Sequence, residues 1–143
     1  MQSRETSRRT IWIGRVVLAG AATLMTRIAI AYIHDPVSAV APHRIVLESA
    51  EAITIMRVSG GVFLGIAFAL VACLASDERL LTGLGMLAII ATTITAVRLV
   101  GAVIDGPAPF TLMVLKPEIV LVVASSVAFW LEYRRHGASG GVR

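Results

Sequence analysis

The chain has 143 residues, 57% hydrophobic and only 15% charged, with a mean hydropathy of +0.83. Soluble domains carry about a quarter charged residues, so these values exclude an ordinary water-soluble core and point to one small all-α integral membrane domain, a four-helix bundle. The net charge of +4 sits at segment ends rather than in a stripe, a pattern of membrane topology and not of nucleic-acid binding.

Crossing about 30 Å of hydrocarbon takes about 20 helical residues, and four runs reach that length, at about 10–33, 52–75, 80–104 and 111–133. They are rich in Ala and Leu and lack strand-type alternation, so they read as helices. The first follows the basic stretch "SRETSRRT". Its length, and the interruptions at Arg15 and Arg27, favour a retained span over a cleaved signal. Arg15 is near the end of that span, where it is expected to snorkel.

The connection "HDPVSAVAPHRIVLESAE" is the longest, and Pro42 is placed to start a short helix or an extension of the second span. Cys73, the one cysteine, permits neither an internal disulfide nor a paired-cysteine metal site, and reads as a small buried hydrophobe. "SDER" is a tight turn between spans two and three, and "DGPAPF" must end the third helix. Arg4, Arg8, Arg9, Arg79, Arg134, Arg135 and Arg143 flank one side, while the other carries Arg44 among Asp35, Glu48, Glu51 and Asp105. The basic excess predicts cytoplasmic N- and C-termini. Trp12, Trp130 and Tyr133 then fall at the inner interface, with Tyr32 and Phe110 at the outer one.

Charges inside the spans are the informative anomaly. Arg27, Arg57, Arg98 and Glu118 each lie one to two turns from the outer end of a different helix, and Asp105 closes the third. An ionised group in a span costs on the order of 3 kcal/mol by insertion scales, so such residues normally face inward and pair. Arg98 and Glu118 are the expected pair, because the tight turn between helices three and four sets them at matching depth, with Asp105 or a turn carbonyl assisting. Two parallel N–H···O contacts from the guanidinium would hold the carboxylate. Gly60, Gly61 and Gly65 share a face with Arg57, and Gly101 shares one with Arg98; these glycines are expected to pack helices closely. The polar cluster has two readings, a structural ion-pair lock and a ligand site for a lipid, quinone or organic anion.

No nucleophile elbow, zincin motif or phosphate-binding glycine loop is present, so no catalytic residue is assigned; the chain reads as a non-enzyme in preference to a membrane enzyme with Glu118 as acid or base, and the sequence leaves that choice open. His34, Asp35 and His43 lack a spacing that would hold a metal, and neither metal nor cofactor is expected.

The segments "IMRVSGGVFLGIAFAL", "AVRLVGAVIDGPAP" and "KPEIVLVVASSVAFW", in that order, resemble the bacterial domain-of-unknown-function family 4345. The resemblance runs from about Ile53 to Trp130 and implies Arg57, Gly61, Arg98, Asp105, Gly106 and Glu118 as characteristic positions. It implies a small multi-pass protein of the bacterial inner membrane, and no assigned activity. Together with the scarcity of soluble mass, this leads to the expectation of a non-catalytic accessory subunit or assembly factor. Its contacts would be the lipid bilayer and either an integral membrane partner or further copies of itself. A small-molecule-binding membrane protein is the alternative.

Overall fold

The computed structural model describes residues 2–140, with side chains over residues 8–137. Arg4 and Arg143 and the end of the glycine-rich tail lie outside the described side chains. Every regular element among the described residues is helical: α1 (Gln2–His34), α2 (Pro36–Val40), a 3-10 turn (Ala41–His43), α3 (Ala50–Leu74), α4 (Asp77–Ile104) and α5 (Pro109–Gly140). Four stretches, Arg8–His34, Ala50–Leu74, Asp77–Ile104 and Pro109–Gly137, are long and apolar enough to cross a membrane, with mean hydropathies of 1.8, 2.0, 2.1 and 1.9. The chain is thus an all-α, multi-pass membrane protein.

Local chemistry sets the helix ends. Ser49 caps α3 by accepting the Ala52 N–H at 3.1 Å, and Ser76 caps α4 by accepting the Glu78 N–H at 3.3 Å. Glu51 in the first turn of α3, and Asp77 and Glu78 in that of α4, place negative charge at the positive end of each helix dipole. Helix α4 stops where Gly106 takes φ +91°, a left-handed conformation open to glycine without strain, and Pro107 follows. Within α5, Pro117 has no N–H, so the Met113 carbonyl lacks its usual helical donor.

The long connection differs from expectation. Pro42 lies within the 3-10 turn, and the short helix precedes it instead of following it. The cause is the pair Asp35–Pro36. The Asp35 carboxylate accepts the Ser38 N–H at 3.1 Å, and Pro36 occupies the first helical turn with its φ already set. After Arg44, at φ 58°, the chain leaves helical geometry until α3 begins.

Hydrogen bonding from Ser38, first its side chain and then its backbone N–H, holds the Asp35 carboxyl below its ordinary value of 3.8. A carboxyl depressed in the folded state stabilises above its unfolded pKa and stops doing so as pH falls through the folded one. Asp35→Ala is therefore expected to speed amide hydrogen exchange at Ser38 several-fold at neutral pH. The difference from wild type should close as pH drops below about 4. A difference that persists unchanged in acid would show that the carboxylate is not the cap.

The four long helices form a ring. Helix α1 packs chiefly on α3 and α4 chiefly on α5, while α1–α5 and α3–α4 contacts close it. At the end carrying the termini the packing is tight: Leu18, Ala21 and Ala22 of α1 meet Leu70, Leu80, Leu84, Leu87 and Ala128 in one buried cluster. Lipid tails are as apolar as Leu, so close packing rather than hydrophobic drive must hold these helices. Glycines permit it. A Cβ on Gly83 would stand 2.6 Å from Cys73 Cβ and 2.9 Å from Leu18 Cδ1, and one on Gly14 would stand 3.1 Å from both Leu80 Cδ2 and Leu84 Cδ1. Arg15 finds a partner at the end of the bundle. Its Nη2 donates to Asp77 Oδ1 at 2.9 Å and ties α1 to the start of α4. Both side chains are about half exposed, so the bridge contributes about 0–1 kcal/mol.

Candidate functional site

At the opposite end, residues of α1, α3, α4 and α5, with Ala39 of α2 and His43 of the 3-10 turn, surround a half-open cavity of about 560 Å³. Its walls are mostly apolar, with Ile28 of α1, Ile94 of α4, and Val114 and Leu121 of α5 among them. Phe63 reaches in from α3. Helices α1 and α3 themselves stay locked here: a Cβ on Gly60 would stand 2.8 Å from Ile33 Cγ1 and 3.0 Å from the Ala29 carbonyl oxygen. At the roof, the His43 ring lies against the Phe110 ring with centroids 4.3 Å apart.

Arg98 and Glu118 form part of the wall. The turn after α4 makes α4 and α5 antiparallel neighbours, and it brings the two residues to one level. Arg98 Nε donates to both carboxylate oxygens of Glu118, at 2.9 Å to Oε1 and 2.8 Å to Oε2. The two-nitrogen fork expected from sequence is replaced by this single shared donor. Nη1 and Nη2 therefore make no hydrogen bond among the described residues, and the guanidinium carbon lies 5.8 Å from the Phe110 ring centroid, within cation–π range. The pair is partly buried, with side chains 25% and 16% exposed. What remains open on Arg98 can serve a ligand's acceptor.

The other charges singled out from sequence are dispersed. Arg27 also lines the cavity, with an exposed side chain and no ion pair among the described residues. Arg57 is exposed on α3, does not line the cavity, and exerts a Coulombic pull on Asp35. Asp105 lies exposed just past α4, its N–H bonded to the Gly101 carbonyl at 2.8 Å, and it makes no bond to Arg98. Of the four glycines, Gly60 sits at a helix contact, whereas a Cβ on Gly61 or Gly65 would meet nothing within 4 Å and one on Gly101 only Asp105 Oδ2 at 3.8 Å.

Sequence reasoning missed the ring-bearing part of the site. Tyr32 and Phe110 read as interface aromatics, and nothing in their spacing signals that they, with His43 and Phe63, surround one space. It also missed a second ionic cluster at the termini end. Glu132 is fully buried, accepts from Arg135 Nε at 3.0 Å and from its Nη2, and lies 3.4 Å from His136 Nε2. The signal was available, since Glu132, Arg135 and His136 are spaced i, i+3, i+4.

Comparison with curated proteins found no match, and comparison with solved structures found none either. The family model described as Domain of unknown function (DUF4345) matches residues 13–130. That stretch contains every residue lining the cavity and both partners of the Arg98–Glu118 ion pair, and the chain belongs to this family.

Proposed function

We propose that the protein binds a small amphipathic molecule inside the membrane, with its polar end at Arg98–Glu118 and its apolar part along α1, α4 and α5. The observation that carries this reading is the cavity itself. Ligand sites are mostly apolar spaces of about 300–1,000 Å³ with a few placed polar groups, and about 560 Å³ with one ion pair on the wall fits that description. A pure ion-pair lock needs no such space. The basic-residue count supports cytoplasmic termini, an orientation in which the cavity would open in the outer leaflet of a bacterial inner membrane.

A second surface favours the accessory-subunit reading. Gly61 and Gly65 are exposed on α3 with open space before them, beside exposed Val58, Val62 and Phe68. Such a face admits the close approach of a helix from another subunit.

Native mass spectrometry after extraction in a mild detergent separates the two. Wild type is expected to retain a small-molecule adduct. Ala91→Phe, which projects a ring from a buried position on the cavity wall, should lose it while keeping its thermal transition. Bare wild-type protein, or an adduct indifferent to Ala91→Phe, would overturn the binding reading. A stoichiometric protein partner on bare subunit would favour the accessory role instead.

A further inference from the structure

We infer that the ligand is an amphipathic anion, a carboxylate or phosphate head on a hydrocarbon tail, and that Arg27 selects it by charge. This rests on the binding reading above and narrows it. The side chains lining the cavity include two guanidinium cations, Arg27 and Arg98, and one carboxylate, Glu118. Glu118 is committed to Arg98 through both of its oxygens. Arg27 is thus left without a counter-charge on the same wall, about two turns of α1 below the roof-end His34. An isolated cation beside hydrocarbon is costly, and a ligand carrying one negative charge relieves that cost as it binds.

The donor inventory points the same way. Arg27 offers its guanidinium N–H groups, and Arg98 still offers Nη1 and Nη2, so the wall presents donors in excess and its chief acceptor is already engaged. A head with several acceptor oxygens and no cation meets that supply. A zwitterionic head brings a positive charge that no free carboxylate on the wall receives. A neutral carbonyl leaves the Arg27 charge uncompensated. The remaining lining, with Leu24, Ile28, Ile94, Val114 and Leu121, suits a hydrocarbon tail.

The test uses the full chain in nanodiscs of phosphatidylcholine, with two photoreactive probes of equal length, a diazirine-bearing hexadecanoic acid and the corresponding alcohol. Adducts are mapped by peptide mass spectrometry. The acid is expected to label cavity-lining peptides about tenfold more efficiently than the alcohol, as charge-assisted hydrogen bonds allow. Arg27→Gln should remove that preference with alcohol labelling unchanged, and Arg27→Lys should restore most of it. Arg27 makes no ion pair among the described residues, so both variants should keep the wild-type thermal transition, which is measured alongside. Competition by unlabelled hexadecanoate against competition by phosphatidylglycerol in the disc distinguishes a free acid from a lipid headgroup; either result supports an anionic head. Equal labelling by acid and alcohol, unaltered in Arg27→Gln, would overturn the inference and leave the binding reading standing. Failure of both probes to label the cavity, with labelling confined to the outer helix faces, would sink both.

Discussion

Replacing Arg98 with Ala, or Glu118 with Ala, is expected to destabilise the folded protein by about 3 kcal/mol, and the double replacement by clearly less than the sum. Removing one partner of a buried pair strands the other charge, and such losses run to about 3–5 kcal/mol. The lower end applies because both side chains keep some exposure toward the cavity. In the double variant no stranded charge remains, so an interaction energy of about 0.5–3 kcal/mol should appear in the cycle. Reversible unfolding of the purified protein in mixed micelles measures all four corners. Arg98→Lys is informative as a fifth variant. The observed contact runs through Nε, a position that Lys lacks, so a lysine keeps the charge while losing the donor that spans both oxygens. It should recover only part of the stability. Strict additivity of the two alanine changes would mean that Arg98 and Glu118 are satisfied by separate groups.

The Arg98–Glu118 pairing was legible in the sequence because it depends on few unknowns. Four apolar runs fix four helices, a six-residue Gly/Pro turn makes the last two adjacent and antiparallel, and 1.5 Å per residue then sets both charges at one depth. The detail of the contact was not legible, since a guanidinium can meet a carboxylate by one nitrogen or two according to a few tenths of an ångström between helices. The cavity was still further out of reach. It is lined by residues of four long helices, α1, α3, α4 and α5, while Gly60 keeps α1 against α3, and no pattern in a single helix encodes how far it stands from the others. Residues one apart on a helix differ by about 100°, so Gly60 and Gly61 point in different directions. Hydropathy alone does not say which meets α1 when both neighbours and lipid are apolar. The cap helix was a misreading of available chemistry. Asp35–Pro36 carries an N-cap acceptor followed by proline at the first helical position, a stronger start signal than Pro42. For Arg15, distance from a helix end gave its level, whereas its partner Asp77 depends on which helix stands alongside.

Gly83→Ala is expected to destabilise the bundle by about 1–3 kcal/mol, a large effect for one methyl group. Alanine is the better helix former by about 1 kcal/mol, so at an unobstructed site the same change should be neutral or stabilising. Gly61 provides that reference, because nothing lies within 4 Å of where its Cβ would be. At Gly83 the new atom would stand 2.6 Å from Cys73 Cβ. A Cβ is fixed to its backbone and cannot rotate aside, so α3 and α4 must separate. Leu18 Cδ1, at 2.9 Å, ends a flexible side chain and can yield. That difference makes the clash specific and open to rescue. Adding Cys73→Gly removes the rigid atom, and although glycine weakens α3 by about 1 kcal/mol, the double variant should be more stable than the sum of the two single losses. Reversible unfolding in mixed micelles reads all of these variants on one scale. If Gly83→Ala proves as harmless as Gly61→Ala, α3 and α4 do not approach each other at Cys73 and Gly83, and the tight packing assigned to the termini end of the bundle is wrong.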